Sequence, residues 1–315
     1  MSNPLVSIVV CCHNRRDYLA QTMETVFAQN YSPVEIIVMD DGSTDGTDEL
    51  IAGYGDKVRY MRQECQGIAV TRTNASRMAK GEFIAYQDDD DLMPPNRIGQ
   101  LYEALCQFPS AAFATGDFLV IDAEGKFTGT RWMPETAQSN GKATLIDDGQ
   151  AAVLWPRIPA VPHTTLFRTE LGEKVGWFDH DFQFACSDAD FLARLGRLGP
   201  VAYVSEVVSH YRRGHRSIWD DDARSSCSKV QLWEKHLKLI GNDNPELRKR
   251  LQERLGQILF KLASYQRQNE NTDGLPIDSY KERGLAQLDA KNKMLFNLRT
   301  KIKLPARDLK RKFFC

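Results

Sequence analysis

The N-terminal part of the chain alternates between short apolar runs and longer segments whose apolar residues recur with helical spacing. This pattern predicts strands over 6–11, 35–39, 58–61, 82–86 and 111–120, with helices over 17–29, 44–54, 68–79 and 94–108 between them. Buried strands separated by helices form mainly parallel sheets, because a parallel connection needs a long crossover. We therefore expect an α/β fold with Rossmann-like layering, in which helices flank a mainly parallel central sheet.

Polar clusters follow three of these predicted strands. They are His13-Asn14, Asp40-Asp41 and the run from Asp88 to Asp91. In open parallel sheets ligands bind outside the carboxyl ends of the strands, where such clusters meet. We expect the three clusters to line one site.

The four adjacent aspartates are the sharpest chemical feature. Two carboxylates ~5 Å apart repel by about 3 kcal/mol at an effective dielectric near 20, so the run needs solvent, a proton or a cation. If the segment is extended, Asp88 and Asp90 face the same way and can hold one hard cation, Mn2+ or Mg2+. The alternative is a solvated acidic turn.

Charge and cysteine content narrow the class of protein. The formal net charge of −1 excludes a nucleic-acid-binding surface over the whole chain. Residues 291–315 carry nine Lys or Arg and one Asp, interleaved with apolar residues, which is typical of contact with an anionic membrane surface or of a frayed terminus. Seven cysteines without a paired motif, and no leader pattern, predict a cytosolic protein that contacts the inner membrane face through this tail.

The second half is less regular. Turn signals interrupt residues 122–162, and after about residue 220 only helical patterns remain, over 226–240 and 246–268. We expect one domain over 1–220, with halves 1–120 and 121–220, and a helical C-terminal extension over 221–315.

Several motifs occur in an order that resembles a known family. They are residues 6–10 (VSIVV), Asn14, residues 38–45 (VMDDGSTD), residues 79–85 (AKGEFIA), the Asp88–Asp91 run, residues 175–179 (VGWFD), and Asp188 with Asp190, Phe191 and Arg194. Together they resemble the family 2 glycosyltransferases of the GT-A fold over residues 5–215. The resemblance implies transfer of a sugar from a nucleoside diphosphate sugar, with UDP the expected nucleotide, to a glycan or lipid-linked acceptor in cell-surface glycan synthesis.

The resemblance also implies a nucleotide site. Asp40 would contact the base, and Arg72, Asp88 and Asp89 would bind elsewhere on the nucleotide. The loop beside Asp40 would contribute Cys11, His13 and Asn14.

The resemblance also implies a metal site and an acceptor side next to the nucleotide site. Asp88 and Asp90 match the D-x-D pair, with Asp90 as the direct ligand of Mn2+ or Mg2+. His215 and Arg212 would reach the metal or the diphosphate, and His163 the acceptor side. For His163 and His215 the alternative is an ordinary surface histidine.

Asp188 matches the catalytic base of the family. A base on the face opposite the leaving group would remove the proton of the acceptor hydroxyl, and direct displacement would invert the anomeric centre. Ser187 stands where many members have Glu, and Asp188 as a helix N-cap is the alternative. Among four tryptophans, 132, 155, 177 and 219, one could stack on a sugar, although core packing is the commoner role.

Two other functions fit parts of the pattern. A metal-dependent nucleotidyltransferase would also place aspartates at strand ends, but it predicts a glycine-rich phosphate loop where this chain has His13-Asn14. A non-catalytic nucleotide-sugar or glycan-binding protein of the same fold would lack only the base.

Overall fold

The structure is a computed structural model that describes residues 3–132, 142–155, 158–214 and 222–265. The chain forms two compact units that separate between Asp220 and Asp221. The first holds all the described strands, and the described part of the second is helical.

The strands of the first unit are β1 (Val6–Cys12), β2 (Val34–Asp40), β3 (Arg59–Arg62), β4 (Phe83–Asp88), β5 (Phe113–Ile121), β6 (Phe127–Arg131), β7 (Thr144–Ile146), β8 (Thr165–Arg168) and β9 (Val201–Arg212). Its helices are α1 (Arg16–Phe27), α2 (Thr47–Ala52), α3 (Ile68–Met78), α4 (Arg97–Gln107), α5 (Gly149–Leu154), α6 (Thr169–Val175) and α7 (Ser187–Leu195). The α/β fold with a central sheet flanked by helices is confirmed.

The first four strands form the parallel half of the sheet. The strand order β3-β2-β1-β4 places β1 in the middle, with Cys12 opposite Asp40 and Cys11 opposite Asp88. All residues of β1 are buried, because helices cover both faces of a parallel sheet. The polar clusters after β1, β2 and β4 therefore meet at one edge.

The second half of the sheet is mixed. Strand β8 lies between β4 and β5 and is antiparallel to both. Strand β9 pairs in parallel with the other edge of β5. Strand β6 pairs with β5 on the same side as β8. The sequence pattern missed β6, β7 and β8, which are short. Strand β8 matters most, because the tight turn just before it, Pro162–Thr164, brings His163 to the edge where β4 ends.

The second unit contains two long helices, α8 (Asp222–Ile240) and α9 (Pro245–Tyr265). Arg248 of α9 donates to the carbonyls of Leu237 (3.0 Å) and Gly241 (2.7 Å), which α8 leaves without helical partners at its end. Within the described ranges, no helix has the length and apolarity needed to cross a bilayer. The basic tail 291–315 lies outside the described residues.

Candidate active site

Asp40 ends β2 inside the protein. Its side chain is fully buried, and its two oxygens accept hydrogen bonds from the Ser43 amide and the Tyr60 hydroxyl, each at 2.8 Å. In this conformation Asp40 shapes the turn after β2, and it would act on a nucleotide only through the residues that it positions.

The loop after β1 joins the three strand ends. The His13 amide donates to Asp89 Oδ2 (3.2 Å), and the amide of Asn14 donates to Ser43 Oγ (3.0 Å). Asn14 adopts a left-handed backbone with φ of 51°, and its Oδ1 accepts from the Thr44 amide at 2.7 Å. The side chains of His13 and Asn14 are exposed at this edge.

Cys11 lies just inside the same edge, on β1. Burial raises the pKa of its thiol to about 12, so the group stays neutral. A neutral, buried thiol contributes shape rather than charge to the site.

Asp41 is a residue whose role the sequence analysis missed. Its carboxylate accepts from the amides of Gln66 (2.9 Å) and Gly67 (2.8 Å) and from Gln63 Nε2 (2.8 Å). Burial alone would raise the pKa of Asp41, but these hydrogen bonds outweigh burial and lower it. Asp41 is thus an anion that ties the end of β2 to the loop before α3.

Arg72 links the two halves of the site. It projects from α3, is only 7% exposed, and donates to Asp88 Oδ1 at 2.5 Å. Burial disfavours its charge, but the negative charges of Asp88 and Asp188 overcome this and raise the pKa of Arg72. The positive charge of the buried Arg72 guanidinium is therefore stabilised by both Asp88 and Asp188, the candidate base.

The aspartate run is a turn and not an extended segment. The Asp91 amide approaches the Asp88 carbonyl at 3.4 Å, so residues three apart come together in place of residues two apart. Asp88, Asp91 and His163 each offer one ligand atom, and these atoms all lie within 4.8 Å of one another. Asp90 instead contacts the Arg15 guanidinium. The expected pairing of Asp88 with Asp90 gives way to this three-residue cluster because the chain turns.

Asp91 and His163 are buried together. Asp91 Oδ1 accepts from the Arg212 amide (2.8 Å), whereas Oδ2 has no hydrogen bond within the described ranges and lies 3.3 Å from His163 Nδ1. Burial, followed by the charges of Asp90 and Asp88, raises the pKa of Asp91 well above its ordinary value. Burial lowers the pKa of His163 to about 4, so its imidazole is neutral, and it is not the surface residue considered as an alternative.

Asp89 and Arg15 complete the acidic turn. Burial and the neighbouring charge of Asp90 raise the pKa of Asp89 to about 7, although Arg15 and the His13 amide oppose that shift. Arg15 Nη1 lies 3.3 Å from Asp89 Oδ1 and also contacts Asp90. The sequence pattern did not single out Arg15, which is just one arginine in a loop until the fold places it here.

Arg212 holds the turn from the other side. It is 1% exposed, and it donates to the Asp90 carbonyl (2.7 Å), the Ala123 carbonyl (2.7 Å) and Gln21 Oε1 (3.0 Å). These bonds direct the guanidinium into the protein. His215, its expected companion, lies outside the described residues.

Asp188 is half-buried in the first turn of α7. The N-cap is Cys186, with φ of 70°, so the alternative role of Asp188 as an N-cap is wrong. Asp190 behaves differently, since it is fully buried and bonded to Arg194 at 2.8 Å. The charge of Asp188 contributes to the raised pKa of Arg72, so its carboxylate lies within electrostatic range of that guanidinium.

A second buried arginine, Arg97, connects the strands next to the site. Arg97 is fully buried, and it donates to Gln87 Oε1 and to the Tyr86 carbonyl (both 2.8 Å) and to the Thr165 carbonyl (3.3 Å). It thus joins β4 to β8. Burial lowers the pKa of Arg97 to about 9.

Comparisons with known proteins agree with this geometry. Residues 7–176, just over half of the chain, match Glycosyl transferase family 2. An uncharacterized glycosyltransferase of Rickettsia typhi is 27% identical over 76% of this chain and 73% of its own length. The putative glycosyltransferase EpsH of Bacillus subtilis is 32% identical over 67% of this chain and 62% of its own length.

Solved structures share the fold at low sequence identity. S. aureus TarS 1–349 in complex with UDP-GlcNAc has a TM-score of 0.64 and 15% identity, covering 96% of this chain and 88% of that one. The mannosyltransferase PcManGT from Pyrobaculum calidifontis, in complex with GDP-Man and Mn2+, has a TM-score of 0.56 and 17% identity, covering 95% and 85%. With its GT-A fold and these relatives, the chain is a glycosyltransferase that belongs to glycosyl transferase family 2.

Proposed function

We propose that this protein is a metal-dependent, inverting glycosyltransferase that moves a sugar from a nucleoside diphosphate sugar to an acceptor hydroxyl. The observation that carries the proposal is the ion pair of the buried Arg72 with Asp88, in which the charge of Asp188 also helps to raise the pKa of Arg72. Asp188, the proposed base, is half-buried, and its Oδ1 accepts a hydrogen bond from the Ala189 amide at 2.8 Å.

The acidic turn fits a divalent cation. Asp91 Oδ2 is a buried acceptor without a hydrogen-bond donor among the described residues, and Asp88 and the neutral His163 lie beside it. Two carboxylates and an imidazole are donors that Mn2+ accepts, with phosphate oxygens completing its shell. Asp90 would join this set once its ion pair with Arg15 opens. When bound, the cation offsets charge on the leaving diphosphate.

Asp188 would carry out the proton transfer. The acceptor oxygen forms a bond to the anomeric carbon, its proton passes to Asp188, and the bond from that carbon to the diphosphate breaks. Attack from the face opposite the diphosphate inverts the anomeric centre. Arg72 supports the site by balancing the negative charge of Asp88 and Asp188 before the substrate arrives.

The donor nucleotide is proposed to be UDP, and the acceptor a glycan or a lipid-linked glycan. The likeness to the UDP-GlcNAc complex of TarS supports the first choice. Asp41 and Arg72, on either side of the loop before α3, would hold the nucleoside, with Asp40 shaping the turn between β2 and α2.

Calorimetric titration with UDP and GDP tests this proposal. We expect UDP to bind in the presence of Mn2+ and to bind at least tenfold more weakly when the cation is chelated, because phosphate charge then faces the aspartates uncompensated. A matched variant, Asp91→Asn, should lose the metal dependence. Affinity that is indifferent to chelation would contradict the proposal.

The same titration has a pH dependence of known sign. In the free protein the pKa of Asp89 is raised to about 7, so Asp89 keeps its proton at pH values where an ordinary carboxyl has lost it. The contribution of Asp89 to folding stability therefore falls as pH rises from about 4 to about 7. A cation favours the ionised carboxylates and releases such protons. The affinity for UDP in the presence of Mn2+ should therefore rise as the pH is raised through about 7, over about one pH unit on either side. In Asp89→Asn this rise should be smaller.

The tail over 291–315 is proposed to contact an anionic membrane, since its composition gives it a charge of +8. We expect the full chain to co-sediment with vesicles that contain phosphatidylserine, and a chain truncated at Asp289 to stay in the supernatant. Equal sedimentation of the two forms would remove the proposal.

A further inference from the structure

A connected series of aromatic rings leads from the metal-site residues to the surface. His163 stacks on Tyr211 with centroids 5.5 Å apart and an interplanar angle of 18°. Phe118 contacts both of these rings, at 5.9 Å and 5.6 Å, and it also contacts Trp132 at 5.5 Å. The series begins at a proposed ligand of the cation and ends at Trp132, whose exposed fraction is 47%.

Trp132 is held in place by its neighbours. Its amide donates to the Phe118 carbonyl at 3.2 Å, which continues the pairing of β6 with β5. The preceding Arg131 binds the fully buried Asp117 carboxylate and the Ser205 carbonyl. With its backbone paired and its ring against Phe118, this indole presents an apolar face at little cost in conformational entropy.

The sheet order fixes where that face lies. The nucleotide-side residues are on β1, β2 and α3, the acidic turn follows β4, and β8, β5 and β6 come next. Trp132 therefore lies beyond the acidic turn, on the side away from the nucleotide. A substrate that enters from this side would meet the exposed ring of Trp132.

We propose that Trp132 is the stacking surface for a pyranose ring of the acceptor, and hence that the acceptor is a glycan. The apolar C–H face of a pyranose packs on an aromatic ring, while its hydroxyls stay available to polar groups, which is how mixed apolar and polar pockets orient ligands. This inference rests on the proposed function and adds a specificity-determining residue to it.

Saturation-transfer NMR with simple pyranosides tests the inference. The probes are the methyl glycosides of glucose, galactose, mannose and N-acetylglucosamine, added to the full chain with UDP and Mn2+. We expect at least one probe to receive saturation on its ring protons. In Trp132→Ala its affinity should fall about three- to tenfold, the size of one ring-stacking contact, whereas Trp132→Phe should keep most of it.

Phe127 provides the matched control. It is another exposed aromatic residue, at 56%, and it begins β6, the strand that ends just before Trp132, so Phe127→Ala removes similar surface nearby. This control should bind the probes as the unsubstituted protein does, and thermal unfolding should show all three variants folded.

Two results would overturn the inference. One is that no pyranoside binds; the other is that Trp132→Ala and Phe127→Ala bind a pyranoside equally well. The UDP titration separates this failure from that of the proposed function. If UDP binds with Mn2+ and only the pyranoside effect is missing, the glycosyltransferase proposal stands and the role of Trp132 falls.

Discussion

Replacing Asp188 by Asn is expected to lower turnover by about 10²–10⁴-fold, the usual contribution of a general base. The amide keeps the size of the side chain but cannot take the acceptor proton. Binding of UDP should change little, because the nucleotide-side residues are on other elements. Release of UDP from a panel of UDP-sugars, with glycan acceptors supplied, measures the rate, and calorimetry measures the affinity.

Asp181→Asn is a suitable control for that experiment. Asp181 is an exposed acid shortly before α7, so its substitution removes the same charge outside the site. Turnover by Asp188→Asn at the rate of this control would show that Asp188 is not the base. If the unsubstituted protein binds UDP-sugars but never releases UDP, the non-catalytic alternative gains.

Replacing Arg97 by Met is expected to cost about 3–5 kcal/mol of unfolding free energy. The guanidinium is fully buried, and its removal leaves Gln87 Oε1 and the Tyr86 carbonyl without donors, at about 1–3 kcal/mol for each unsatisfied group. Chemical denaturation monitored by circular dichroism measures the loss. We expect Arg97→Lys to recover only part of it, because an ammonium cannot reproduce the planar fork.

Arg77→Met is the matched control for Arg97. Arg77 is exposed near the end of α3, where substitution should change stability by no more than about 0.5 kcal/mol. Equal midpoints for the two variants would mean that the carbonyls around Arg97 find other donors. Arg97 would then contribute little to joining β4 and β8.

Local sequence patterns predicted most of the first half of the fold. Strands β1, β2 and β4 and helices α1, α3 and α4 lie within a few residues of their expected positions, because each buries a regular apolar face. Strands β6, β7 and β8 were missed. All three are short, and β6 is largely exposed, so an apolar alternation has little room to develop.

The sequence predicted where in the sheet the candidate site lies, but not the contacts between its side chains. That Asp40 and Asp88 end strands follows from their position after apolar runs, and those two strands lie on either side of β1. Whether Asp88 pairs with Asp90 or Asp91 depends on a turn that the pattern did not resolve. The burial of Asp40, which holds it in hydrogen bonds to Ser43 and Tyr60, was equally invisible.

By itself, the sequence determined most strands and helices of the first half and the polar clusters that end them, because the periodic burial of an element shows in the pattern of neighbouring residues. Only the tertiary structure decided that His163 lies beside Asp91, that Arg15 contacts Asp90, and that Trp132 packs on Phe118 with its ring exposed. His163 and Asp91 are 72 positions apart, as their numbers show. Their meeting depends on β8 inserting antiparallel beside β4, which is a property of the packed sheet and not of either segment.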